Sequence, residues 1–193
     1  MTIIIGGIIA ITLLIPNTVL SIQPAPSDDT STSKIEILSN NNDPSHECSS
    51  DRDEILWLAR AIYSETKDEK EMYLIAWVIR NRVENHYWND CTYEAVVNRP
   101  KQFSGLNSTD PQYKHNMSLT HGHTYITWQT ALEVAENVYY AESSKRPFSK
   151  YIQHFYSPEV VEAPEWAEHE KLAFVSHDTN DGTVRFAFYK EIK

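Results

Sequence analysis

No run of lysine or arginine occurs in this sequence. Lys and Arg total 17 against 27 Asp and Glu, a formal net charge of −10. Binding to nucleic-acid phosphates rests on clustered positive charge, so no nucleic-acid partner is expected. Cysteine is scarce: Cys48 and Cys91 allow at most one intramolecular disulfide. Internal repeats are absent. Only one long apolar run exists, at the N-terminus. His121 and His123, in "HGH", lie in a polar stretch with no third ligand at helical spacing. No metal and no cofactor is therefore expected.

At 193 residues the chain has room for one ordinary domain and an appendage. Residues 1–22 contain the apolar run, Ile3 to Ile15. Its length suits a secretory h-region better than a full span of about 20 residues. Val19 and Ser21 supply small residues for cleavage after Ser21, although no Lys or Arg precedes the run. The alternative is an uncleaved membrane anchor over Ile3 to Ile22. Either reading places the domain outside the cytoplasm, periplasmic or extracellular, and the second tethers it to the membrane. Residues 23–50, rich in Ser, Asn, Asp, Thr and Pro, cannot bury enough apolar surface to offset their ordering entropy and read as a linker. Residues 51–193 form the folded domain. In an exported chain an even cysteine count suggests a disulfide. Cys48 precedes the first predicted helix and Cys91 follows the second, so an antiparallel helix pair would bring them together.

The first helix starts with Asp51 as N-cap and Glu54 completing a capping box. Ile55, Leu58, Ala59 and Ile62 then recur at helical spacing, and the next step of that stripe reaches Glu65 and Thr66. A second helix begins after "KDEKE", with Met72, Ile75, Ala76, Ile79 and Val83 as its apolar stripe. Asn81 and Arg82 flank the stripe, either tying the helix back toward Glu65 or solvated. "TYEAVVN" reads as a short helix capped by Thr92, residues 99–124 as a long polar loop, and Thr127 as the cap of another strong helix. Residues 151–169, aromatic and broken by Pro, read as irregular. "KLAFVSHDTNDGTVRFAFYK" reads as a β-hairpin with Asp181-Gly182 in the turn. Helices followed by a late hairpin make the fold class α+β.

Glu65 is the anomaly in this pattern. Helix C-termini favour cations, and a carboxylate there is disfavoured by about 0.3–1 kcal/mol. One pKa unit corresponds to about 1.4 kcal/mol, so desolvation by Tyr63, Trp57 or Phe103 has to supply most of any large upward shift. A carboxylic acid that keeps its proton near neutral pH is what glycosidic cleavage requires, because the leaving oxygen must receive a proton. The alternative is a surface charge paired with Arg60 or Lys67.

"ARAIYSETKDEKEMYLIAWVIRNRV" resembles the opening motif of the SleB-type cell-wall hydrolases, the spore cortex-lytic catalytic family. Their pattern is roughly A-R-x-Y-G-E-A-R-G-E followed by a helix ending A-x-V-x-x-N-R-V. Ala59, Arg60, Tyr63, Glu65, Glu69, Ala76, Asn81, Arg82 and Val83 match it. Cys91, Val96 and Val97, then "KQFS", "HFYSP", "PEWA" and "FAFY", match later family motifs in order, from about Asp53 to Tyr189. Ser64, Thr66 and Asp68 depart from the family's Gly, Ala and Gly, and Phe186 from its His.

The resemblance implies a mainly helical lysozyme-like domain with a small C-terminal hairpin or sheet, acting on peptidoglycan glycan strands. Its catalytic Glu maps onto Glu65. It further implies cleavage of the β-1,4 bond between N-acetylmuramic acid and N-acetylglucosamine by a lytic transglycosylase route that needs one Glu. The alternatives are a muramidase, with Glu69, Asp68 or Asp110 as the second carboxylate, and a non-catalytic peptidoglycan-binding envelope protein. Gln102 and Ser104 are candidates to bind N-acetyl or hydroxyl groups, and Phe103 to pack on Glu65. Tyr156, Tyr151 and Trp166 are candidates to stack on sugar faces, and His154 to line the cleft.

Overall fold

The computed structural model describes residues 49–190. The apolar run, most of the linker and Cys48 lie outside the described residues. Five helices precede a three-stranded sheet: α1 (Asp51–Glu65), α2 (Glu69–Glu84), α3 (Tyr93–Val97), α4 (Tyr113–Ser118), α5 (Ile126–Tyr140), β1 (Ile152–Tyr156), β2 (Leu172–His177) and β3 (Val184–Lys190). The α+β class is as expected. No helix among the described residues is long and apolar enough to cross a membrane.

Helices α1, α2 and α5 build the core from the stripes visible in the sequence. Leu58, Ile62, Met72, Ile75, Ile79, Ala131, Ala135 and Val138 are fully buried. Each large aliphatic side chain among them contributes about 1.5–3 kcal/mol by leaving water. Trp128 of α5 is also fully buried and meets Tyr63 of α1 edge-on at 5.5 Å. Two arginines satisfy carbonyls at helix ends. Arg80 donates from Nη1 to Val138 O and Ala141 O at 2.5 and 2.7 Å, and Arg60 donates to Met117 O and Leu119 O.

Several boundaries differ from the sequence reading. Ser50, not Asp51, caps α1, accepting from Asp53 N at 3.3 Å. Glu54 closes no capping box; it is buried and accepts from Tyr93 N at 2.5 Å, where α3 begins. Helix α2 starts inside the charged run, because Asp68 caps it through Glu71 N at 3.1 Å and acidic residues suit a first turn. Thr127 lies in the first turn of α5, whose N-cap is Tyr125. The long polar loop contains α4, which buries Asn116 and carries no apolar stripe to announce it. Thr92 caps α3 as expected, accepting from Ala95 N at 3.1 Å.

The expected hairpin is β2 and β3, with Gly182 at φ 75° in its turn, a conformation other residues adopt only at a cost. β1, read as irregular from sequence, pairs antiparallel with β3, giving the order β1-β3-β2. Phe188 at the centre of β3 stands opposite both Phe155 and Phe174, and stacks on Phe174 at 4.5 Å. Side chains of α2 bind the sheet to the helices. Asn81 Nδ2 donates to Ile152 O at 2.8 Å, and Arg82 Nε donates to Gln153 O at 2.6 Å. Asn81 thus ties α2 to β1 rather than to the Glu65 region.

Candidate active site

Helix α1 ends on Glu65, and its last turn holds no basic residue. The turn into α2 is tight. Thr66 leaves the helix extended, its hydroxyl donates to Glu71 Oε2 at 2.8 Å, and Thr66 Oγ1 accepts from Asp68 N at 3.1 Å. The Lys67 ammonium bends back to donate to Tyr63 O and sits 3.6 Å from the centre of the Tyr63 ring. One further contact sets the end of α1. A Cβ on Gly105 would stand 2.9 Å from Ser64 Cβ, so only glycine lets the following loop approach this closely.

A cavity of about 490 Å³ opens over Glu65, between the end of α1, the loop at Gln102 to Ser104, and the sheet residues Phe155, Tyr156 and Phe186. A second cavity, about 410 Å³, shares Lys101, Gln102, Phe155 and Trp166 with the first. A third, about 380 Å³, shares Ser64 and Ser104 with the first and extends toward Asp110, Gln112 and His115. Glu65 therefore lies in the middle cavity of three adjoining ones. A further cavity, about 610 Å³, lies at the opposite end of α1 and includes His121.

Desolvation dominates the electrostatics. Glu65 is half-buried, open to the cleft and crowded on its other sides, and burial raises its pKa to about 7. The Arg82 and Lys67 charges pull in the opposite direction without cancelling it. Glu65 forms no direct ion pair among the described residues. Arg60 is committed to the carbonyls of residues 117 and 119, so the surface pairing considered from sequence does not form. Arg82 is buried, and burial lowers its pKa to about 10, leaving it charged at neutral pH. His154 is held neutral: burial, then the Arg82 and Lys171 charges, lower its pKa to about 3.

The sequence-derived candidates divide by position. Gln102, Ser104, Tyr156 and Trp166 line the cavity that contains Glu65, and His154 lines the neighbouring one. Gln102 accepts from Arg82 Nη1 through Oε1 at 3.1 Å, and His154 Nε2 is 2.9 Å from Tyr87 Oη. Phe103 is not at the cleft surface. It is 1% exposed, with the Arg82 guanidinium 5.7 Å from its ring, because its neighbours on both sides take the outward positions. Tyr151 is exposed and lines none of the three adjoining cavities. Glu69 faces a different groove, Asp68 is used as the α2 cap, and Asp110 lies in the third cavity.

Sequence reasoning missed several charged or aromatic groups of the cleft. Glu159 and Arg185 line the Glu65 cavity and pair with each other at 3.2 Å, while Arg185 also lies 3.7 Å from Glu71. Tyr87 and Trp88 line the second cavity. None of these belongs to a periodic stripe, so no local signal marked them.

No curated protein and no solved structure matches the chain. The model of one family, described as Cell Wall Hydrolase, matches residues 66–180, from the residue after Glu65 through β2 and into the turn before β3. That match spans more than half of the sequence and contains every lining residue of the cleft except those at the very end of α1 and in β3. The chain belongs to the cell wall hydrolase family.

Proposed function

We propose that this protein is a lytic transglycosylase that cuts the β-1,4 bond between N-acetylmuramic acid and N-acetylglucosamine, with Glu65 as its single catalytic acid and base. Family membership implies peptidoglycan as substrate and action at the cell envelope. The observation that carries the role of Glu65 is a carboxyl that opens into a cleft with its pKa raised by burial to about 7, and the lytic route is favoured by the absence of an unpaired second carboxylate lining that cavity among the described residues. In its protonated form Glu65 donates to the leaving O4 of N-acetylglucosamine as the C1–O4 bond breaks. Arg82 and Lys67 then stabilise the carboxylate that remains. That carboxylate accepts the proton of the muramoyl 6-hydroxyl as its oxygen bonds to C1, closing a 1,6-anhydro ring and regenerating the acid. No water is consumed, so no second carboxylate is required. Glu159, the other carboxylate lining this cavity, is already paired with Arg185 at 3.2 Å. Transfer to an attached hydroxyl also has a proximity advantage over attack by free water.

In this reading Gln102, Ser104, Tyr156 and Trp166 bind the glycan. Residues 51–193 are the catalytic domain, delivered across or tethered to the membrane by the N-terminal run. The purified domain is incubated with peptidoglycan and the products weighed. Predominant 1,6-anhydromuramoyl ends, each lighter by one water than a reducing end, are expected. Predominant reducing ends would mean a muramidase. Glu65→Gln, which keeps the shape of the side chain but has no acidic proton, should abolish release of either product while leaving binding to insoluble peptidoglycan intact.

A further inference from the structure

The segment His86–Asp90 falls between two of the motifs that carry the family resemblance, yet it builds one wall of the second cavity. Its backbone is unusual. His86, Trp88 and Asn89 all have positive φ, at 50°, 57° and 66°. For a bulky residue such as Trp88 this conformation costs about 1 kcal/mol or more and persists only when the surroundings enforce it. Arg99 enforces it. Arg99 donates from Nη2 to Trp88 O at 2.6 Å, pairs with Asp90 through Nε and Nη2, and stands 4.9 Å from the centre of the Trp88 ring. The result is a tryptophan 46% exposed to solvent at the mouth of a cavity, rather than folded into the core.

Trp166 and His154 line the same cavity with their rings 5.3 Å apart, and Tyr87 links the two sides: its ring lies 4.3 Å from that of Trp88 and its Oη 2.9 Å from His154 Nε2. Gln102 and Lys101 supply polar groups where this cavity joins the one holding Glu65. Because Gln102 Oε1 already accepts from Arg82, its amide N–H groups are the ones left to donate to a ligand carbonyl. Aromatic faces with a few directed polar groups suit a pyranose, whose C–H faces are apolar and whose rim is polar.

We propose that this cavity is a sugar subsite next to the bond that is broken, holding one N-acetylated pyranose with Trp88 as its stacking platform. This rests on the glycan-cleaving reading above and adds a residue to it. Trp88 is a binding residue and takes no part in proton transfer.

The test uses the Glu65→Gln protein, which binds without cutting, and tetra-N-acetylchitotetraose as probe, titrated by tryptophan fluorescence. Adding Trp88→Ala should weaken binding about tenfold and Trp88→Phe should restore most of it. In the otherwise wild-type enzyme, Trp88→Ala should raise KM and leave kcat nearly unchanged. Circular dichroism confirms that the variants are folded, which the exposure of Trp88 favours. Unchanged affinity and KM in Trp88→Ala would overturn the subsite while leaving the Glu65 chemistry standing. Cleavage that survives Glu65→Gln would instead overturn the catalytic reading, whatever Trp88 does.

Discussion

Arg82 Nη1 donates to Gln102 Oε1 at 3.1 Å while Arg82 Nε donates to Gln153 O at 2.6 Å. One buried guanidinium on α2 thus holds both a cleft residue and the start of the sheet, beneath Glu65. Lysine has no planar fork to serve both acceptors. Arg82→Lys should therefore cost about 1–3 kcal/mol of stability, read as a lower urea midpoint at unchanged m-value. Arg82→Met removes the cation that lowers the Glu65 pKa, so any activity that remains should extend to higher pH than in the wild type. A profile unmoved by that substitution would separate Arg82 from Glu65.

The acid form of Glu65 starts the proposed reaction, and its pKa stands at about 7. Activity should therefore fall as pH rises through about 7, with a slope of one proton. A rate flat into alkaline pH would remove Glu65 from the role of acid.

The same shift has a consequence for stability. The folded pKa of Glu65 is raised above its ordinary value of 4.5, so the folded state holds a proton that the unfolded chain has released. Its contribution is fully present below about 4.5 and is lost as pH rises through about 7. Because the side chain keeps some contact with water, the loss should be on the order of 1–2 kcal/mol. Stability curves of wild type and Glu65→Gln, measured at pH 4 and pH 8, should converge at the acid end and separate in favour of the variant at the alkaline end. Parallel curves would refute the linkage.

Gly105→Ala places a Cβ 2.9 Å from both Ser64 Cβ and Asn116 Nδ2. The first is fixed to the α1 backbone and the second donates to Gly105 O at 2.9 Å, so neither yields freely. A loss of about 1–3 kcal/mol is expected, together with reduced activity because Glu65 is the next residue. Removing the Ser64 side chain in the Ser64→Gly, Gly105→Ala double variant should recover part of the loss. Strict additivity of the two changes would show that the contact is unimportant.

Cys91 is exposed. If the N-terminal run exports the chain, Cys91 should be joined to Cys48 across α1 and α2, which would add about 3–4 kcal/mol on the chain-entropy model. Thiol titration of unreduced, denatured protein from an exported preparation should then find none. Two reactive thiols would exclude the bond.

Hydrophobic spacing in the sequence determined α1, α2, α5 and the β2–β3 hairpin, because each depends on residues within a few positions of one another. It also pointed Glu65 inward, since the stripe Ile55, Leu58 and Ile62 continues directly onto it. Tertiary structure alone decided what that inward position means. The pKa of about 7 is the sum of desolvation by chain segments distant in sequence and two opposing cations, one of them on another helix. Local pattern could not separate Phe103, which is buried, from Gln102 and Ser104 beside it, which line the cleft. β1 was hidden for the same reason: its hydrogen-bond partners lie on β3, and a Pro-broken aromatic stretch becomes a strand only when that edge is present. Trp88 followed neither rule, because a left-handed tryptophan is held outward by Arg99 against its own backbone preference.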